Sequence, residues 1–335
     1  VRSFSGIQPS GRKHLGNYLG AIRSWRIEQE DHDLMVGVVD LHALTAPRAP
    51  AELGVDTLRT AALLLACGLD PARSTIFVQS QVTGHAELAW LLGSLASVGE
   101  LRRMAQFRAK ATTREMASAS LLTYPVLQAA DILLYRAERV PVGEDQRQHL
   151  ELARRLAERF NRRYGRLFPI PQAVVPARGA RIMDLQHPAN KMSSTEGTPA
   201  GTLSLLDTPA AIRRKLGRAV TDAGHEVRAT PAKPGVSNLL EILSASSGQP
   251  REAHERRLGG AGYGALKAEV AEAVIALLEP IQARYAALAA AGFAEVRAIL
   301  RAGAARARML AEATMALVRA AVGLLSPDEI PMAEA

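Results

Sequence analysis

Three segments of the chain carry side chains of the kind that handle phosphates. The first is Gln8-Pro9-Ser10-Gly11-Arg12-Lys13-His14-Leu15-Gly16-Asn17, where a Pro-Ser-Gly turn runs into a helix start at Leu15. Free N–H groups and the positive end of the helix dipole suit an anion there, and Gly16 admits a ligand where a Cβ would block it. His14 and Asn17 stand three apart, so they share the face that looks back at the loop. The same residues also read as an ordinary strand-to-helix turn. Gly143-Glu144-Asp145-Gln146 is a second glycine loop meeting a helix. Asp145 and Gln146 in its first turn can exchange hydrogen bonds with a ligand hydroxyl, or simply cap the helix. The third is Lys191-Met192-Ser193-Ser194-Thr195, a polar, glycine-flanked loop suited to a cationic strap over phosphates.

A different chemistry is written into the run Thr123 to Leu134. Tyr124, Gln128 and Asp131 line one helical face at i, i+4 and i+7. Asp131 sits among apolar residues, where an ionised carboxylate without a partner costs several kcal/mol, roughly the loss from breaking a buried ion pair. It reads either as a ligand-binding acid or as part of a buried network with an arginine. Gln106 and Lys110, four apart, face one ligand or form a solvated charged face.

The elements that must position these groups alternate. Phe4 to Ile7, Leu34 to Val39, Thr75 to Gln79 and Ala137 to Val142 read as strands. Leu15 to Trp25, Ala51 to Ala66 with a stop at Gly68, and a long amphipathic stretch to Arg163 read as helices. This βαβα order predicts an α/β fold, a parallel sheet with helices on both faces, and ligands beyond the strand C-termini. Gln8, Asp40, His42 and Gln79 then lie near the crevice, although His42 reads equally as a capping or core histidine. Residues 84–110 are expected to be helical and 111–118 a loop. The next helix is expected to start with Thr123 as its N-cap and Pro125 in its first turn. Pro169, Pro171 and Pro176 mark a loop-rich passage. From about Asp207 the chain is mainly helical, with Arg213, Arg214, Lys215 and Arg218 crowding one helix and a closing helical pair over 265–291 and 293–324.

The 335 residues are 48% hydrophobic, enough for a large domain plus a smaller one. The single cysteine, Cys67, excludes an internal disulfide and a thiolate zinc cage, and no metal ligand set is expected. A net charge of +8 is compatible with a polyanionic partner. Ala61 to Cys67 is read as the longest apolar stretch and is too short to cross a bilayer; no signal peptide is apparent, so a cytoplasmic protein is expected.

His14-Leu15-Gly16-Asn17 after Pro-Ser-Gly resembles the HIGH signature of class I aminoacyl-tRNA synthetases, and Lys191-Met192-Ser193 resembles their second signature. Phe4 through Gly11, Leu121 through Pro125, Ala129 through Tyr135, Val140 through Gln146, Ala219 through Asp222 and Lys233 through Leu240 make the whole chain similar to the bacterial tryptophanyl-tRNA synthetase family. The resemblance implies a Rossmann-like catalytic domain over 1–188 with a helical insertion at about 84–120 in a homodimer interface. It further implies a KMSKS-like loop over 189–206 and an all-helical, anticodon-reading domain over 207–335. The implied reaction joins L-tryptophan to ATP as an adenylate and then to the terminal ribose of tRNA(Trp), with Mg²⁺ carried on the ATP phosphates and neither membrane nor DNA as a partner.

By the same resemblance, ATP would be held by Gln8, Pro9, Ser10, His14, Gly16, Asn17, Gly143, Glu144, Asp145, Ile182, Lys191, Met192, Ser193, Ser194 and Thr195. Tryptophan would lie among Phe4, Gly6, His42, Tyr124, Gln128, Asp131, Val140, Val142 and Gln146, with Asp131 accepting the indole N–H. Gln8, Asn17, Gln106, Lys110, Lys191, Ser193 and Ser194 would act on the phosphates during reaction. Two positions depart from the family. Ser194 stands where the second signature has a lysine, and Gln128 stands where an apolar residue is common. A tyrosyl-tRNA synthetase, a non-aminoacylating paralogue and a small-molecule nucleotidyltransferase are the competing readings.

Overall fold

The computed structural model describes residues 1–47, 49–110, 118–143, 146–174, 181–193 and 197–325. Three apolar runs form the centre of the sheet as strands β1 (Arg2–Ile7), β2 (Asp33–Val38) and β3 (Ser74–Val78). Alternation along them buries both faces: Leu34, Val36 and Val38 join one core cluster, while Met35 joins another with Phe4 and Phe77. Strands β4 (Arg139–Pro141) and β5 (Gln172–Val174) complete a five-stranded parallel sheet in the order β3-β2-β1-β4-β5. Strand order reverses between β1 and β4, and a crevice at that switch point is where such sheets take ligands.

Several elements differ from the sequence expectation. The proline-rich passage contains β5, three residues at the sheet edge that begin directly after Pro171. The first helical stretch does not stop at Trp25. It runs as Leu15–Asn17, a π-helical turn at Tyr18–Ile22, and Arg23–Asp31. Gln29 ties its far end to the Gly68 carbonyl and the Asp70 N–H. Residues 84–110 divide into Gly84–Gly93, Val98–Arg102 and Ala105–Lys110, with Ser97 capping the second piece. The helix carrying Asp131 is Ala119–Leu133, and its N-cap is Ser118, whose hydroxyl accepts from Leu121 N. Thr123 lies inside it and returns its hydroxyl to the Ala119 carbonyl.

The C-terminal part folds back onto the sheet. Gly262–Ala290 is long and apolar enough to cross a membrane by length and composition, a feature missed when Ala61 to Cys67 is taken as the longest apolar stretch. Its Leu266, Val270, Val274 and Leu278 are buried in the core shared with the Pro50–Ala66 and Pro234–Ser247 helices, so one face of it packs inward. The closing helix, Ala294–Val322, crosses β3, and Gly303 approaches so closely that a Cβ would collide with the Ile76 carbonyl. This helix covers the edge strand that would otherwise expose unpaired backbone. Cys67 is buried in the core with its thiol pushed up to about 12 by burial, which leaves it inert.

Candidate active site

The phosphate-handling end is built from two segments sewn together. Leu15 N donates to the Leu203 carbonyl at 2.8 Å, Leu205 N donates to the Lys13 carbonyl at 2.9 Å, and His14 and Ser204 form an antiparallel bridge between them. A second small bridge joins Met183 to Lys191, with Met192 N donating to Ile182 O at 3.0 Å. Ile182 and Met192 are buried in one cluster with Leu15, Leu203 and Leu205, and Ile182 Cβ lies 3.6 Å from where a Gly16 Cβ would stand. The Thr202 hydroxyl donates to Ser193 O at 2.8 Å and closes the base of the second loop. Asp184 accepts from the N–H groups of Gln186 and His187 beside it, and a side chain at Gly201 would strike its carboxylate.

Gly11 takes the left-handed conformation, φ +64°, that turns the first loop. Lys13 donates its ammonium to the carbonyls of Gln8 (2.7 Å) and Ser10 (2.8 Å), while the Ser10 hydroxyl donates to Gln8 Oε1 at 3.3 Å. The backbone N–H of His14 donates to Asn17 Oδ1 at 3.0 Å, as their spacing suggests. Burial, followed by the charges of Lys13 and Lys191, lowers the His14 imidazole to about 4. The histidine is neutral at pH 7. Lys110 ends its helix; Glu144, Asp145, Ser194 and Thr195 lie outside the described residues, as do 111–117 of the expected loop.

The other end of the site centres on Asp131, 2% exposed. Its Oδ2 accepts from His42 Nε2 at 2.8 Å, and its Oδ1 accepts from Gln79 Nε2 and His85 Nδ1, each at 2.7 Å. With Nδ1 protonated, His85 Nε2 accepts from the Tyr135 hydroxyl at 2.7 Å. Burial pushes the Asp131 carboxyl up, but the hydrogen bonds from His42 and His85 hold it, on balance, well below the usual carboxylate range. The acid is therefore ionised and sits in a network of two histidines and a glutamine, with no arginine among the described residues. His85 and Tyr135 escaped the sequence reading. Their signals were a histidine in the apolar Gly84–Gly93 helix and a tyrosine one turn after Asp131.

Beside this network the Tyr124 hydroxyl donates to Gln106 Oε1 at 3.0 Å and meets His149 Nε2 at 2.7 Å; burial raises the phenol to about 12. Gln106 is thus brought to Tyr124 in this state. Gln128 Nε2 donates to Gln146 Oε1 at 3.3 Å, linking the Asp131 helix to the start of Arg147–Tyr164. Phe4 stacks on Tyr135 with centroids 5.7 Å apart and is buried beneath the network together with Val140. Val142 is half-buried, and Gly6 is exposed at the end of β1.

The two ends meet where β1 stops. Ile7 O accepts from Val39 N at 2.9 Å, and Val39 leads directly into Asp40–Ala43, the short helix that carries His42. Leu41 N donates to Gln79 Oε1 at 3.1 Å, joining this helix to the Asp131 cluster.

A doubly wound sheet with a basic, hydrogen-bonded helix start at its switch point, and a second loop sewn to that start, defines a nucleotide-dependent enzyme of the class I synthetase type. The family described as tRNA synthetases class I (W and Y) matches residues 1–279. The tryptophan--tRNA ligase of Gloeobacter violaceus is 50% identical over 328 residues, covering 97% of each chain. The tryptophanyl-tRNA synthetase structure from Mycoplasma pneumoniae superposes with a TM-score of 0.88 at 37% identity, over 98% of this chain and 99% of that one. The Campylobacter jejuni tryptophanyl-tRNA synthetase, complexed with ADP and tryptophan, gives 0.83 at 31% identity over 97% and 100%. The chain belongs to the class I tRNA synthetase family of tryptophan and tyrosine. Within it, the similarity over nearly the full length is to the tryptophan--tRNA ligases.

Proposed function

We propose that the chain activates L-tryptophan with ATP and transfers it to tRNA(Trp), using the residues described above. The observation that carries this reading is the seam between Lys13–Leu15 and Leu203–Leu205, which ties the loop bearing Lys191 to the helix start bearing His14. ATP phosphates fit this paired edge, with Gly16 and Asn17 at the dipole end and Lys191 above. Gly143 and the two acids after it suit the ribose, and Ile182 and Met192 offer apolar walls for adenine. Tryptophan fits against Asp131, with Tyr124 and Gln146 directed to its α-amino group.

The tryptophan carboxylate is already a nucleophile, so attack on the α-phosphorus with departure of pyrophosphate needs no general base. This chain's contribution is alignment, together with N–H dipoles and ammonium groups set where charge develops. Among the described residues no three His, Cys, Asp or Glu side chains gather to hold a cation. A Mg²⁺ ion carried on the ATP phosphates would neutralise charge there. Trp90, 83% exposed on Gly84–Gly93, supports a homodimer contact through the 84–120 insertion, and the helices after 207 support anticodon reading in a cytoplasmic translation enzyme. Charging of a tRNA(Trp) transcript with labelled tryptophan tests the whole reaction. Charging that requires ATP and spares a tRNA(Tyr) transcript is expected; charging of tRNA(Tyr) with tyrosine instead would overturn the reading.

A further inference from the structure

Five arginines of the closing helix Ala294–Val322 divide into two groups. Arg306 pairs with Asp33 at 2.9 Å and Arg319 with Glu87 at 2.7 Å, so both fasten the helix to the sheet and its neighbours. Arg297, Arg301 and Arg308 are exposed and have no carboxylate partner among the described residues. Arg297 donates to the Gly292 carbonyl and Arg308 to the Gln81 carbonyl, neither of which neutralises a charge, and Arg301 has no hydrogen bond among the described residues. All three line one cleft of about 730 Å³ between this helix, the start of Pro50–Ala66 and the carboxyl end of β3.

We propose that this cleft is a contact site for the phosphate backbone of tRNA, resting on the reading that the chain charges tRNA. Spacings of four and seven residues put the three guanidinium groups on one helix face, about 6 Å and about 10 Å apart along the axis. A row of this length matches phosphates spaced along a strand. Asp40 is the one carboxylate among the residues that line the cleft, against three guanidinium groups, which leaves the cleft with an excess of positive charge. Leu53, Leu58 and Leu300 supply an apolar floor for sugar or base faces. The cleft opens at the carboxyl ends of the strands, the edge at which the active site also lies, so one bound strand can reach both.

Binding of full-length protein to a tRNA(Trp) transcript, measured over a series of KCl concentrations, tests this. Each phosphate contact removed lowers the slope of log K against log salt by about 0.7 to 0.9. The combined variant Arg297→Gln, Arg301→Gln, Arg308→Gln is expected to lose about 2 to 3 from that slope, and Arg301→Gln alone about 1, while tryptophan-dependent ATP–pyrophosphate exchange stays at the parental level. Arg301→Lys, which keeps the charge, is expected to keep the slope. An unchanged slope in both glutamine variants, with exchange intact, would overturn the site. Absence of tRNA binding in the parental protein would sink the charging reading itself.

Discussion

His42 Nε2 lies 2.8 Å from Asp131 Oδ2, while Oδ1 of the same carboxylate is filled by His85 and Gln79. Only Oδ2 keeps a lone pair for a ligand N–H. A histidine network holding an acid with one open acceptor fits a ligand that brings a single donor, as an indole does. Because Asp131 has internal partners, a ligand lacking that donor does not leave it wholly unpaired, and discrimination is smaller than for an isolated buried acid. In Asp131→Asn the amide would turn N–H groups toward the donors of His42 or His85. We expect kcat/KM for tryptophan to fall by about 1.5 to 3 kcal/mol, roughly ten- to a hundred-fold, in steady-state exchange. Unchanged kcat/KM would remove Asp131 from the tryptophan site.

His14 makes stability depend on pH. Its pKa is about 4 in the fold against 6.5 as the ordinary value, so between these pH values the unfolded chain binds a proton that the native one does not. Stability contributed at this site is therefore present above pH 6.5 and lost as pH falls toward 4, by about 3 kcal/mol in all. Urea midpoints at pH 7 and pH 4.5 should differ less in His14→Asn than in the parent. Equal differences would show that the imidazole is not held neutral by burial and the two lysines.

Ser194 stands where the family's second signature has a lysine. One charged contact to a transition state contributes roughly 2 to 4 kcal/mol. Lys191, Met192 and Ser193 remain, and Lys13 is already engaged by the carbonyls of Gln8 and Ser10. Ser194→Lys should leave single-turnover adenylate formation undiminished. A large loss would mean that the loop meets the phosphates in another way.

Gly303 is where the closing helix touches β3. Adding one methyl must push the helix off the Ile76 carbonyl, and overpacking of this kind costs about 1 to 3 kcal/mol. Gly303→Ala should lower the urea midpoint by the corresponding amount. A midpoint equal to the parent's would show that helix and strand separate easily.

Much of this architecture is legible in the chain because hydrophobic periodicity and turn residues are local. The runs at Phe4, Leu34 and Thr75 became strands, Gly68 ended its helix with φ +97°, and His14 and Asn17 met as their spacing implied. Boundaries failed where tertiary contacts decided them. Ser118 rather than Thr123 capped the Asp131 helix, and the three residues Gln172–Val174 became β5 only because β4 offered a partner. The surroundings of Asp131 were the least legible part. Position 131 marked a buried acid, but Gln79 and His85 reach it from 52 and 46 residues away, a relation no period in the chain encodes. The docking of Ala294–Val322 on β3 was equally hidden, since Gly303 lies in an alanine-rich helix with no local signal for a strand contact.

Amino-acid-dependent ATP–pyrophosphate exchange, run with tryptophan, with tyrosine and with no amino acid, tests most directly whether the two sewn loops and the acid at 131 form one activating site. Label is expected in ATP with tryptophan alone. Exchange driven by tyrosine, or none under any of the three conditions, would contradict it.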